Sequence, residues 1–112
     1  MSELAKRKCV PCRGGVPALR GAQIENLLVE INGWDAVDNH HLKKAFDFPD
    51  FVTALDFVNR IGAVAEEEGH HPDVFLTWGK VAIEIYTHKV DGLTESDFIL
   101  AAKIDALPRA SG

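Results

Sequence analysis

Between Pro49-Asp50 and Gly69 the chain sets Phe51, Ala54, Leu55, Val58, Ile61 and Ala65 along one side of a helical period. A helix over 50–68 with one apolar stripe must bury that stripe against another element. Asp50 suits the cap of its free amides, and Gly69 closes it. A different period follows. Val81, Ile83 and Ile85 alternate with Ala82, Glu84 and Tyr86, the pattern of a strand with one core face. A one-sided helix and a one-sided strand in the same short chain call for a layer of helix on a layer of sheet.

The other elements fit that frame. Ile24, Leu27, Leu28 and Ile31 recur at helical spacing within 19–31, and Asn32-Gly33 ends the run. Trp34–Val37 reads as a short strand, Asp38-Asn39 as a turn, and residues 40–48 as a second strand. In that strand Lys44 falls among the apolar set of Leu42, Phe46 and Phe48. Residues 74–78 and 80–87 read as two strands around Gly79. Thr94 caps a last helix over 95–107, with Asp97 at the capping-box position and Phe98, Ala101, Ala102 and Ile104 on its apolar side. Strands joined by short turns are antiparallel. The order α-β-β-α-β-β-α therefore predicts an α+β, two-layer domain: a four-stranded antiparallel sheet with helices packed on one face.

Residues 1–18 show no apolar period and carry Pro11, Gly14, Gly15 and Pro17. They read as an irregular arm, with the domain over 19–112. Within residues 1–20, Lys6, Arg7, Lys8, Arg13 and Arg20 stand against Glu3 alone, while the whole chain has a net charge of −5. An acidic body disfavours direct nucleic-acid binding, which needs a basic face. The arm lacks the apolar stretch of a secretory signal, and no apolar run is long enough to span a membrane. Cys9 and Cys12 are too few for a disulfide framework and fit a reducing, cytoplasmic setting. As one CxxC they supply half of a zinc ligand set, and no second group has metal-ligand spacing.

Five histidines remain. His40 and His41 read as surface polar residues. His70 and His71 stand between Gly69 and Pro72, and His88 ends a strand, both at loop edges where sites tend to lie. Imidazoles exchange protons near neutral pH and could both give and take them in an elimination. Taken alone, incidental histidines are the commoner reading and a proton-transfer site the sharper one. Glu66, Glu67 and Glu68 crowd the last turn of the second helix, where the dipole disfavours negative charge; a solvated helix end is the simple account.

Taken together, the spacing is specific. Glu66, three residues, His70-His71-Pro72, five residues, Trp78, nine residues, His88, eight residues and Asp97 form an arrangement that resembles the signature of the pterin-4a-carbinolamine dehydratases, or 4a-hydroxytetrahydrobiopterin dehydratases. The block GHHPDVFLTWGKVAIEIYTHKVDGLTESD is similar to the family's centre throughout, and KCVPCRGGVPAL resembles the N-terminal extension of a bacterial and plant-type branch.

The resemblance implies the same fold, a homodimer or homotetramer, and a reaction without metal or organic cofactor. That reaction is removal of water from a 4a-hydroxytetrahydropterin, recycling the pterin of aromatic amino-acid hydroxylases. His70 and His88 match the acid–base histidines, and His71 matches the one that holds the pterin. Pro72 matches the residue that fixes the loop. Thr87 matches a wall of the pocket, Glu66 a carboxylate for the amino-pyrimidine edge, and Trp34 an aromatic at the pocket mouth. Gly69 belongs to the same binding surface but stands where some members carry a polar side chain; Ser96 stands where others carry a basic one. The competing expectation is a non-catalytic binding role. Some relatives partner a homeodomain transcription factor, and others resemble assembly factors for Rubisco. The retained histidines rank it second.

Overall fold

In the computed structural model, which describes residues 18–108 and Lys6, Asp50 caps the longest helix as its side chain predicts. Its Oδ1 accepts the Thr53 amide at 2.9 Å, and the helix, α2, runs Phe51–Glu68. Gly69 ends it in the left-handed region at φ 66°, a conformation costly for residues with a Cβ. The inward line is Ala54, Phe57, Ile61 and Ala65. Phe57 replaces Leu55 in the expected stripe: Leu55 sits about 100° round the helix from Ala54 and is partly exposed, as is Phe51.

Before α2 come α1 (Gly21–Leu28), β1 (Asp35–Val37) and β2 (His41–Asp47); after it β3 (Asp73–Thr77), β4 (Lys80–Ile85), a 3-10 turn at His88–Val90 and α3 (Glu95–Asp105). The helix–strand order is the expected α-β-β-α-β-β-α. α1 stops three residues before Ile31, because the Glu30 and Ile31 amides tighten onto the Leu27 and Leu28 carbonyls. The turn at Asp38-Asn39 has both residues at positive φ, 53° and 54°, the geometry that matches the twist of a tight hairpin.

The strands form one antiparallel sheet in the order β1-β2-β4-β3. Register sets its faces. Leu42 pairs with Ile85, Lys44 with Ile83 and Phe46 with Val81, and these partners face the helices. His41, Lys43, Ala45, Ala82, Glu84 and Phe75 occupy the opposite, open face. Phe57 of α2 meets Phe46 and Phe48 with ring centroids 4.9 and 5.2 Å apart. Burying a side chain of this size contributes roughly 1.5–3 kcal/mol. α3 exceeds its expected one-sided burial: Ser96 through Ala102 are all buried. Such a helix must satisfy its own polar groups internally.

Lys44, the irregular residue of β2, points into the helix layer and is accommodated there. Its Nζ donates to Asn32 O at 2.6 Å and Asp105 Oδ1 at 2.8 Å, and lies over the Phe46 ring at 4.7 Å. The expected arm lies outside the described residues except for Lys6 and Ala18, and so do Cys9 and Cys12. No helix among the described residues is long and apolar enough to cross a membrane.

Candidate functional site

The site begins at the end of α2. Both Gly69 and His70 donate their amides to Ala65 O, a closure that turns the chain sharply off the helix axis. Pro72 disfavours helical angles at His71. The two adjacent histidines then leave in opposite senses. The His70 side chain is 11% exposed and that of His71 60% exposed.

His70 meets α3. Its Nε2–H donates to Asp97 Oδ1 at 2.6 Å, and Asp97 is wholly buried. An ionised carboxylate only accepts, so the proton of a neutral His70 sits on Nε2 and Nδ1 is the acceptor. Asp97 Oδ2 is also engaged: it accepts the Thr94 amide at 2.7 Å, as the capping box predicts, and the Thr87 hydroxyl at 2.9 Å. Thr94 and Thr87 hydroxyls lie 2.9 Å apart. Every buried side-chain N or O among the described residues has a partner. One carboxylate therefore ties the end of α2, the start of α3 and the segment after β4 together. Asp97 was legible as a cap and as part of the spacing, but its grip on His70 was not.

Thr87 is 2% exposed and closes a small loop by bonding Gly92 in both backbone directions, at 2.9 and 3.4 Å. His88 starts the 3-10 turn inside that loop and is solvent-exposed. Asp91 ends the turn at φ 51°, its amide donating to His88 O. The network thus brings His70 and Thr87 together and leaves His88 one residue beyond. Its ring stacks on Tyr86, with centroids 4.2 Å apart and planes 24° from parallel.

Glu66 reaches His71: Oε2 lies 2.5 Å from Nε2, both groups exposed. The crowded helix end is more than a solvated one, since the side chain of Glu68 is buried 3.8 Å from Lys103 Nζ. Trp34 is placed apart from this cluster. It is buried, donates Nε1–H to Asp105 Oδ2 at 3.0 Å, and meets Phe46 edge-on. His40 and His41 are not plain surface residues: His40 lies 2.8 Å from Asp91 Oδ1 and His41 3.6 Å from Glu84 Oε1. No group of three or more His, Cys, Asp or Glu among the described residues could hold a metal ion.

An open antiparallel sheet under three helices, with a carboxylate-backed histidine where the layers meet, defines a class of small two-layer α+β proteins. The comparisons narrow it. The family model described as pterin 4 alpha carbinolamine dehydratase matches residues 17–107, and the chain belongs to that family. A protein of Rubrobacter xylanophilus is 57% identical over 96% of this chain and 100% of its own length. One of Rickettsia bellii is 54% identical over 93% of each. Both bear the provisional name pterin-4-alpha-carbinolamine dehydratase. Among solved structures, a transcriptional coactivator/pterin dehydratase from Brucella melitensis matches with a TM-score of 0.75 at 32% identity, over 80% of this chain and 96% of that one. A pterin dehydratase-like protein identified as a RuBisCO assembly factor in the alpha-carboxysome matches at 0.57 and 25% identity, over 67% of this chain and 88% of that one.

Proposed function

We propose that this chain dehydrates a 4a-hydroxytetrahydropterin to the quinonoid dihydropterin and water, with His70 and His88 as the proton-transfer pair. In that reaction the C4a–O bond breaks and the departing oxygen takes a proton from one imidazolium. The N5–H proton passes to the other imidazole, and the electrons it leaves form the C4a=N5 double bond. No proton is gained or lost overall, so two imidazoles in opposite protonation states suffice.

The observation that carries this reading is the bond from His70 to the buried Asp97, whose other oxygen holds Thr87 beside His88. Asp97 fixes the ring and its tautomer and balances the charge when Nδ1 takes a proton, the part a buried carboxylate plays behind a catalytic histidine. His71, with Glu66 beside it, holds the pterin from the solvent side; Gly69, Pro72 and Thr87 shape the surface around it. Trp34, which the resemblance puts at the pocket mouth, is buried against Asp105 apart from this surface and takes no part in the reading. The reading further places the chain in the cytoplasm as a homo-oligomer serving an aromatic amino-acid hydroxylase.

The test is the rate at which purified protein removes 4a-hydroxytetrahydropterin, compared with the spontaneous rate. His70→Ala and His88→Ala should each lose about a hundredfold of the acceleration or more. An unaltered rate in both variants overturns the reading. A binding role would instead survive loss of both histidines in a pull-down.

A further inference from the structure

Four of the five histidines lie against a carboxylate: His40 on Asp91, His41 on Glu84, His70 on Asp97 and His71 on Glu66. His88 does not. Its ring is exposed and lies flat on Tyr86. Strand alternation sends Ile85 and Thr87 into the core and leaves Tyr86 half-buried on the other side. The Tyr86 ring is itself met by His40, with centroids 4.7 Å apart. His40 Nε2 lies 2.8 Å from Asp91 Oδ1, and the Asp91 amide donates back to His88 O at 3.2 Å. The contacts close a circuit through His88, Tyr86, His40 and Asp91, joining the β1–β2 hairpin to the loop after β4.

We infer that Tyr86 is a positioning residue for His88 in the proposed dehydration, its ring fixing the plane of the imidazole while His40 and Asp91 brace that ring and the loop. The inference rests on the dehydratase reading above and adds a residue to it. An exposed imidazole has several rotamers, and proton transfer needs the one that puts a ring nitrogen within hydrogen-bond reach of the reacting atom. A flat aromatic neighbour selects the ring plane and leaves both nitrogens to the substrate, which a carboxylate would not. The stack uses the face of Tyr86 and not its hydroxyl, so phenylalanine should replace it.

The experiment compares Tyr86→Leu and Tyr86→Phe with the unaltered protein, alone and combined with His88→Ala or His70→Ala. Loss of the stack should lower kcat about tenfold with KM changed much less. Tyr86→Phe should restore kcat to near the unaltered value. The effect of Tyr86→Leu should vanish once His88 is alanine and persist once His70 is. His40→Gln, which removes the brace but keeps Tyr86, should lower kcat in the same direction by a smaller factor. The upfield ring-current shift of the His88 protons in NMR spectra should disappear in Tyr86→Leu and persist in Tyr86→Phe. An active protein whose kcat is indifferent to Tyr86→Leu, or whose loss is equally large beside His88→Ala, overturns the inference alone. An unaltered protein without dehydratase activity overturns the functional reading and this inference with it.

Discussion

Asp97 Oδ1 accepts the Nε2 proton of His70 across 2.6 Å, although the two residues are 27 positions apart in the chain. The same side chain caps α3 through its other oxygen. One buried carboxylate therefore holds a helix in place and aims a candidate catalytic ring, and neither role can be altered alone by removing it.

Asp97→Asn separates the two demands. The site asks for two accepting oxygens, one for His70 and one for Thr87 and Thr94. Asparagine has one, and its amide nitrogen must face a donor. Urea unfolding should show a loss of about 1–3 kcal/mol. kcat should fall at least about tenfold while KM changes less. An intact kcat in the folded variant would mean that Asp97 is a cap only.

His71 and Glu66 are exposed, so their loss should act on binding. His71→Ala and Glu66→Gln should raise KM several-fold with kcat affected less, opposite to His70→Ala. Steady-state kinetics on the three variants read the split.

Lys44→Ala removes the cation that joins β2 to Asp105 at the end of α3, and leaves a largely buried carboxylate with Trp34 as its remaining side-chain partner among the described residues. The expected cost is about 2 kcal/mol, measured as a lower urea midpoint. Since Lys44 lies on the helix side of the sheet and contacts none of the three candidate histidines, kcat should be unchanged.

Gly92→Ala tests the loop that carries His88. A Cβ there would stand 2.7 Å from the Ala18 Cβ, closer than packed atoms tolerate. Two backbone bonds to Thr87 prevent Gly92 from moving freely away. Destabilisation of about 1–3 kcal/mol is expected in thermal or urea melts, with a fall in kcat as the His88 turn shifts.

Asp50 gives a pH dependence with a definite sign. The Thr53 amide and hydroxyl hold its carboxyl below the usual 3.8 in the folded protein. A group with a depressed folded pKa contributes stability above its unfolded pKa, and that contribution fades as pH falls through the folded value. Asp50→Ala should therefore melt lower than the unaltered protein at neutral pH, with the gap closing well below pH 3.8. Melting curves across that range measure it.

Much of the fold was legible because its signals are local. Asp50, Gly69, Thr94 and the alternation of β4 each announce a backbone conformation within a few residues of themselves. The spacing from Glu66 to Asp97 marked the family. Long-range contacts were less legible. Phe57 replaced Leu55 on the buried line of α2, because the sheet and α3 decide which flank of an apolar stripe is covered. Lys44 broke the pattern of β2, and only Asp105 and Asn32, brought from elsewhere, explain it. His40 read as a surface residue, because nothing near it in sequence shows that the β2–β4 register carries it to Tyr86.

The sequence by itself determined the order of elements, the two-layer class and the set of residues able to exchange protons, since caps, periods and side-chain chemistry act over one or two turns of chain. Tertiary structure alone decided which partner each of those residues meets. It assigned the buried carboxylate to His70, the exposed one to His71 and an aromatic ring to His88, because each pairing depends on which elements meet and in what register. A histidine's chemistry belongs to the residue; the direction of its ring and the partner behind it belong to the fold.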